Sequence, residues 1–333
     1  MIEILSTGPL CSVQDAGRRG YRKLGVSVSG SMDSLAFRIG NVMLGNVANA
    51  ASIEITVFPF RVRFTAKTRT AVTGAACGIF LDEKAFPPWW CFEVNPGQVL
   101  TLTPPSSGAR AYLAVGGGID VPEVLGSRST DIKVGFGGFE GRCLRKGDRL
   151  AANFVAEGSA ASGSDGFGVV PPCKGEFERE SARLGNADGH AGTCARVLVG
   201  PEYDSFTGTS ADQLWNADWT LTPDSNRIGY RLDGPTIDLK SPIEMLSHGI
   251  VPGVIQVPPY GKPIVMMLDG QTSGGYPKIG TVIEADLWRL AQAALGSKIR
   301  FRRVEIDEAV AASVAQEKFI QSIANSQWRA GWK

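Results

Sequence analysis

Apolar and polar residues alternate over several short stretches of this chain, and this pattern predicts β-strands. Phe60, Val62 and Phe64 are separated by arginines, which predicts one buried and one solvent-facing side. Strands of similar character are predicted at residues 2–5, 70–73, 99–103, 111–115, 254–257, 263–268 and 299–304. These runs are short and separated by turn residues, so we expect a mainly β protein with a few helices.

Helical spacing is confined to three segments. Asp33 is a suitable N-cap for a helix that ends near Gly45, and Asp286 is a suitable N-cap for a second helix that ends before Gly296. The chain ends in an amphipathic pattern that includes Ile306, Val310 and Val314. This last pattern predicts a helix packed on the protein, with a partner-binding helix as the alternative.

The length and composition indicate two domains. A chain of 333 residues is long enough for two, and we place the boundary between 1–195 and 196–333, with a Gly/Ser-rich segment near 153–193. The 41 glycines and 19 prolines are typical of a turn-rich β protein. A net charge of +1 argues against binding to nucleic acid or to an acidic membrane surface.

The cysteine spacing and the N-terminus favour a cytoplasmic protein. None of the six cysteines forms a CxxC pair, so we expect no metal site and reduced thiols. The chain opens without a basic, apolar leader, and its apolar runs are too short for a membrane span.

Several cofactor and nucleophile motifs are missing from the sequence. It has no GxxxxGK[ST] phosphate loop and no lysine flanked by methionines, as in a biotin attachment site. A Ser-His-Asp triad would have to use His190 or His248, the two histidines of the chain. We therefore expect no covalently bound cofactor.

The first group of candidate site residues lies in a long polar loop near the N-terminus. Its members are Gln14, Asp15, Arg18, Ser29 and Asp33. A carboxylate beside guanidinium groups can orient an amide or carboxylate substrate by charge-assisted hydrogen bonds. A loop held together by pairing of Asp15 with arginine is an equally good interpretation.

The second group follows the two predicted strands around the turn at residues 258–262. We interpret Asp269 and Lys278 as groups for proton transfer or charge stabilisation, together with Asp15 of the first group. The residues predicted to bind substrate here are Gln256, Tyr260, Gln271, Thr272, Gly275 and Tyr276. Alternatively, Asp269 and Gly270 form a simple turn and Lys278 is solvated.

Six ordered motifs resemble those of one known family. They are SVQDAGRRGYRKLGVSVSGSMDSLAFRIGNVMLGN, AYLAVGGGIDVPEVLGSRST, GGFEGRCLRKGD, VLVGPEYDSF, NRIGYRLDG and GVIQVPPYGKPIVMMLDGQTSGGYPKIGTVIEADL. The chain resembles, over roughly residues 1–305, the biotin-dependent carboxyltransferase family that includes the C-type subunit of 5-oxoprolinase and proteins labelled allophanate hydrolase subunit 2. It departs from the family at Gly270, where an arginine often stands.

The resemblance implies two cyclophilin-like β-barrel domains and a cytoplasmic complex with A-type and B-type partner proteins. It implies an enzyme subunit that helps to open 5-oxoproline to glutamate, with ATP used by the complex at a site we do not assign. The alternatives are transfer of a carboxyl group from biotin to urea or a related amide, and a non-catalytic regulatory protein that binds a kinase or a B-type partner. We expect the two groups of residues to form two walls of one amide-binding site.

Overall fold

The computed structural model describes residues 2–153, 166–172 and 192–329, with side chains to residue 326. The chain forms two compact units. The first comprises Met1–Arg19, Ser29–Pro171 and Glu317–Lys333, and the second comprises Gly20–Val28 and Pro172–Gln316. The described helices are α1 (Ser34–Leu44), α2 (Gly208–Asn216), α3 (Leu287–Ala291) and α4 (Ile306–Arg329).

The described strands of the first unit form two antiparallel sheets. They are β1 (Ile2–Ser6), β2 (Ser12–Gln14), β3 (Ser52–Ile55), β4 (Phe60–Phe64), β5 (Thr68–Gly74), β6 (Ile79–Leu81), β7 (Lys84–Phe86), β8 (Trp90–Val94), β9 (Val99–Leu102), β10 (Ala111–Val115), β11 (Ile119–Asp120), β12 (Arg149–Ala152) and β13 (Phe167–Gly168). One sheet has the order β11-β12-β1-β4-β9-β6-β7 and the other β13-β8-β5-β10-β3-β2.

A single apolar core joins these two sheets. Ile4 and Val62 of the first sheet belong to the same buried cluster as Ile53 and Leu113 of the second. The alternation predicted for β4 is confirmed, because Phe60, Val62 and Phe64 are buried while the two arginines between them are exposed. The remaining side of the second sheet carries α1, which packs on β5 and β10.

The second unit is built around a closed barrel. Its strands are β14 (Thr193–Val199), β15 (Trp219–Leu221), β16 (Gly229–Asp233), β17 (His248–Gly249), β18 (Val254–Gln256), β19 (Ile264–Met266), β20 (Ser273–Gly274), β21 (Lys278–Val282) and β22 (Lys298–Arg303). The barrel order is β14-β21-β18-β19-β16-β15-β22, and β17 pairs with β20 in a separate ribbon. The expected mainly β fold is confirmed, and the hairpin predicted around residues 258–262 is present as β18 and β19.

The first predicted helix is confirmed in detail, and the second is not. Asp33 caps α1, and Gly45 ends it in the left-handed conformation. The second helix, α3, is shorter than predicted and ends at Ala291. Asp286 makes no side-chain cap, because its carboxylate accepts hydrogen bonds from Arg196 at 2.8 and 2.9 Å instead.

The C-terminal helix packs on the protein along one side. Ala309 and Ala312 of α4 lie in a buried cluster of the second unit, whereas Ile306, Val310 and Val314 are exposed. A packing helix is therefore confirmed, and Ile320 and Ile323 nearer its C-terminal end are buried as well. In the residues described, no helix combines the length and apolar character needed to cross a membrane.

Two further expectations bear on parts of the chain that are only partly described. Most of the Gly/Ser-rich segment and His190 lie outside the described residues. The boundary after residue 195 stays a prediction. Among the described residues, no cluster of histidine, cysteine, aspartate and glutamate has the arrangement of a metal site.

Candidate functional site

Asp15, in the first unit, is a fully buried carboxylate just after β2. Its oxygens accept four hydrogen bonds, from the N–H groups of Gly17 and Arg128 and from the hydroxyls of Ser127 and Ser129, at 2.6–2.8 Å. Because a carboxylate offers about four acceptor positions, these donors use most of its capacity. The arrangement ties the N-terminal loop to residues 127–129, and a catalytic role for Asp15 stays a prediction.

Gln14 and Arg18 are also buried and turn toward the same segment. The Gln14 Nε2 group donates to the Ser12 hydroxyl at 2.9 Å and to the Thr130 carbonyl at 3.1 Å. The Arg18 guanidinium donates to the carbonyls of Val124 and Ser129. It also lies over the Phe136 ring, 4.4 Å from the centroid. Groups of the protein itself therefore bind the Gln14 amide nitrogen and part of the Arg18 guanidinium, and a role of either side chain in binding a substrate stays a prediction.

Asp33 and Ser29 are buried in the first unit, and a role of either residue in binding a substrate stays a prediction. Asp33 Oδ1 accepts a hydrogen bond from the Ala36 N–H at 2.8 Å and so caps α1. Ser29 is fully buried with a φ of 52°, a left-handed conformation that is uncommon outside glycine. The next residue, Gly30, lies so close to Gly17 that an added Cβ would be 2.9 Å from its backbone.

A buried acid below α1 was not found from the sequence. Glu54 of β3 accepts hydrogen bonds from the Tyr112 hydroxyl at 2.7 Å and from the Met32 N–H at 2.8 Å. The Tyr112 oxygen in turn accepts one from the Asp33 N–H at 2.7 Å. Burial, and then the charge of Glu54, raise the pKa of Tyr112 well above its usual value. This tyrosine is a neutral hydrogen-bond link between β10 and the start of α1.

The candidate catalytic site of the second unit is centred on Lys278, the first residue of β21. Along β18, Ile255 is opposite Gly280, but Gln256 is opposite Lys278 instead of Ile279. One extra residue in β21 therefore forms a β-bulge, a feature that commonly redirects a side chain beside an active site. The bulge places Lys278 opposite Gln256 in the strand pairing.

Glu202 lies between Lys278 and His248. Its Oε2 accepts a hydrogen bond from the Lys278 backbone N–H at 2.9 Å and lies 3.9 Å from the Lys278 Nζ. Its Oε1 lies 4.0 Å from the His248 Nε2. Gly200, two residues before Glu202, packs so tightly against the Lys278 carbonyl that a side chain there would collide with it. We name Lys278, Glu202, His248 and Gln256 the lysine cluster.

The Gln271–Tyr276 loop lies beside the lysine cluster. A Cβ placed on Gly274 would be 3.0 Å from the Gln256 Nε2 and 3.2 Å from the Gln271 Nε2, so both amides lie against this glycine. Gly274 also pairs with His248 in the β17–β20 ribbon. The Gln256 amide donates a long hydrogen bond, 3.5 Å, to the Tyr276 carbonyl. The structure thus brings together Gln256, Gln271, Tyr276 and Lys278 of the predicted set.

The other members of the loop and its flanks are placed as follows. The Thr272 carbonyl accepts a hydrogen bond from the Ile250 N–H at 2.9 Å. Gly275 lies next to the Met245 carbonyl, 3.1 Å from where a Cβ would be. Tyr260 is exposed and receives a long hydrogen bond from Arg231 at 3.5 Å. Their roles in binding a substrate stay predictions.

Asp269 forms a buried ion pair with Arg227, a residue that the sequence patterns did not single out. The guanidinium donates two parallel hydrogen bonds to the carboxylate, at 2.8 and 3.0 Å. The following residue, Gly270, has no room for a side chain, because a Cβ would be 2.8 Å from the Met267 carbonyl and 2.9 Å from the Ile228 carbonyl. The arginine that the family often has after this aspartate has no equivalent here, and Arg227 binds the aspartate from another segment.

Three functional candidates were not predicted from the sequence, although a signal for two of them was present. Glu202 and Arg227 lie inside VLVGPEYDSF and NRIGYRLDG, two of the motifs that support the family resemblance. His248 lies in none of these motifs. The five candidates of the first group and the lysine cluster belong to different units, and their use as two walls of one site stays a prediction.

Comparison with known proteins extends these observations. Residues 24–303 match the family described as carboxyltransferase domain, subdomain A and B. The chain is 43% identical over 330 residues to the C-type subunit of 5-oxoprolinase from Escherichia coli, covering 99% of this chain and 98% of that protein. It is 31% identical over 337 residues to urea amidolyase of Lachancea kluyveri, covering 98% of this chain but 18% of that protein.

A solved structure agrees with the fold described above. The crystal structure of the K. lactis urea amidolyase superposes with a TM-score of 0.84 at 30% identity, over 97% of this chain. The chain corresponds to 20% of that much longer protein. The match extends over both units of the present chain, so the fold of each has a counterpart of known structure.

Proposed function

Because this chain belongs to the family of carboxyltransferase domains with subdomains A and B, and is similar along its length to the C-type subunit of 5-oxoprolinase, we propose that it is the C-type subunit of an ATP-dependent 5-oxoprolinase. In this proposal it acts with A-type and B-type partner proteins in the cytoplasm. The complex opens the ring of 5-oxoproline to give glutamate. ATP is a co-substrate of the complex, and no residue of this chain is assigned to it.

The main support from the site is the Lys278 side chain. It is buried, and its Nζ atom has no hydrogen-bond acceptor within the described part of the chain. An ammonium group has three N–H donors, and leaving them unmade in the interior is costly. Such a group is well suited to donate hydrogen bonds to an oxygen of a bound molecule. The lactam carbonyl of 5-oxoproline supplies an oxygen of this kind.

The chemical role of Lys278 follows from the reaction. Ring opening breaks the lactam C–N bond, water supplies the new oxygen and proton, and negative charge develops on the carbonyl oxygen on the way. A fixed ammonium group stabilises that charge better than bulk water does. Glu202 holds the lysine in place, at 3.9 Å from the Nζ. The Gln256 amide offers both a donor and an acceptor to the lactam.

The proposal is tested in a reconstituted mixture of the three proteins by measuring ATP-dependent release of glutamate. We expect Lys278→Gln to lower kcat/KM by about 100-fold or more, the usual effect of removing one donor to a developing oxyanion. Lys298→Gln changes an exposed lysine of β22 that bonds to Thr220, and should leave the rate unchanged. Undiminished glutamate release when this chain is omitted would disprove the proposal.

A second candidate is transfer of a carboxyl group to urea or a related amide. It is supported by the 31% identity to a urea amidolyase over 98% of this chain. The same ammonium and amide groups suit the urea carbonyl. Labelled carboxyl passing from a biotin carrier protein to urea in the presence of this chain would support it. A purely regulatory role, through binding of a kinase, stays a prediction that a pull-down would test.

A further inference from the structure

The hydrogen bond of His248 fixes which of its nitrogens carries a proton. The Nδ1 atom lies 3.0 Å from the Leu246 carbonyl oxygen. A carbonyl only accepts hydrogen bonds, so Nδ1 carries hydrogen in both the neutral and the charged ring. In the neutral ring, the lone pair is therefore on Nε2.

The Nε2 atom is the ring nitrogen near Glu202. It lies 4.0 Å from Glu202 Oε1, beyond hydrogen-bonding distance, while Glu202 Oε2 faces Lys278. His248 and Lys278 therefore flank one carboxylate, one on each oxygen. The side chain of His248 is 37% exposed, so a small molecule can reach the ring.

The charged surroundings of His248 are simple in the part of the chain that the structure describes. Glu202 faces it from the segment after β14, and Lys278 faces Glu202 from β21. The strand paired with it, β20, consists of Ser273 and Gly274 and contributes no charge. The nearest acid on its own segment, Glu244, is exposed. A protonated ring at this position is stabilised mainly by Glu202.

We propose that His248 is the general base that removes the proton from the lactam N–H of the bound substrate. The N–H bond breaks, and its electron pair moves into the C–N bond. The carbonyl electron pair moves onto oxygen, which the Lys278 ammonium faces. The proton goes to His248 Nε2, and the resulting imidazolium is stabilised by Glu202. The step leaves an imidate anion, which is nucleophilic toward phosphoryl or carboxyl donors.

This inference rests on the proposed function, since it assumes that Lys278 binds the lactam oxygen. Neutral imidazole is a good base near neutral pH, and positioned bases of this kind usually contribute about 10²–10⁴-fold to a rate. For the wild type we expect kcat/KM to fall as the pH drops through the range in which imidazole becomes protonated. The cause is loss of the Nε2 lone pair.

The test uses the mixture of three proteins and follows glutamate release from pH 5 to pH 9. We expect His248→Gln to lower kcat about 100-fold or more and to abolish the acidic limb of the profile. Added imidazole should restore part of the activity of His248→Ala. His190→Gln, which changes the other histidine of the sequence, should keep both the rate and the acidic limb.

The outcomes separate this inference from the function on which it rests. An acidic limb that persists in His248→Gln overturns the inference even if the rate falls, because a merely structural role would lower the rate and keep the limb. Full activity in His248→Gln together with an inactive Lys278→Gln also overturns it, while leaving the proposed function intact. Activity in the absence of this chain overturns both.

Discussion

Replacing Asp15 by asparagine should destabilise the protein strongly, because the structure makes this residue a buried acceptor of four hydrogen bonds. Asparagine keeps the size and shape but has one oxygen instead of two. In its better orientation the new NH₂ group faces the Arg128 N–H, and the other three donors keep a neutral acceptor. The substitution thus removes one hydrogen bond, and it removes the negative charge that strengthens the other three.

The size of the effect can be worked out from these contacts. A hydrogen bond to a charged group contributes about 1.5–3 kcal/mol. The three remaining bonds fall to roughly half their strength when the acceptor becomes neutral. The lost bond accounts for about 1.5–3 kcal/mol and the three weakened bonds for about 2–4.5 kcal/mol, so the free energy of unfolding should fall by about 4–7 kcal/mol.

The assay is urea unfolding of the purified chain, followed by tryptophan fluorescence. Asp120→Asn provides a control, because Asp120 is an exposed aspartate of the same unit and its replacement should change stability by no more than about 0.5 kcal/mol. A loss below about 1 kcal/mol for Asp15→Asn would refute the structural reasoning. If catalysis then fell sharply as well, the catalytic role predicted from the sequence would be favoured instead.

Three further predictions concern stability and thiol chemistry. Asp286→Asn breaks the buried pair with Arg196 and should cost about 3–5 kcal/mol in urea unfolding. Burial alone would raise the pKa of Asp286, but the hydrogen bonds from Arg196 lower it overall. The stability that the ionised carboxylate contributes is therefore fully present above the ordinary carboxyl pKa, about 3.9. It is lost as the pH falls through the lowered pKa of the folded protein. The stability gap between wild type and variant should therefore close only below about pH 4, and a gap that closes near neutrality contradicts this. Gly270→Ala should cost about 1–3 kcal/mol by overpacking, whereas Gly249→Ala, which meets nothing within 4 Å, should cost less in the same assay. Burial raises the pKa of Cys77 to about 11 and that of Cys91 to about 12. Iodoacetamide at pH 7.5 should therefore leave both thiols unmodified, as measured by mass spectrometry. Rapid labelling of the folded protein would show that the two thiols are accessible.

Features fixed by neighbouring residues were predictable from the sequence. The ends of α1 follow from Asp33 and Gly45, because caps act on the first and last turns of the same helix. The alternation in β4 follows in the same way from strand geometry. The family resemblance located the loop that lies beside Lys278.

Features fixed by distant residues were not predictable. Asp286 has the sequence of an N-cap, but Arg196, 90 residues earlier, takes its carboxylate. Glu202 meets Lys278 because β14 and β21 are neighbours in the barrel. The opposition of Gln256 and Lys278 depends on strand register, which a single sequence does not reveal.

The bulge in β21 has a consequence for how this scaffold can change during evolution. The bulge depends on the number of residues between two paired positions and not on their side chains. Substitutions at Ile279 therefore alter packing but leave Lys278 opposite Gln256. Only a deletion or insertion would move the lysine to another position. The Gln271–Tyr276 loop, by contrast, is mostly exposed or half-buried and open to ordinary point mutation. Gradual sequence drift would therefore diversify the contacts around the bound molecule while the ammonium group stays where it is.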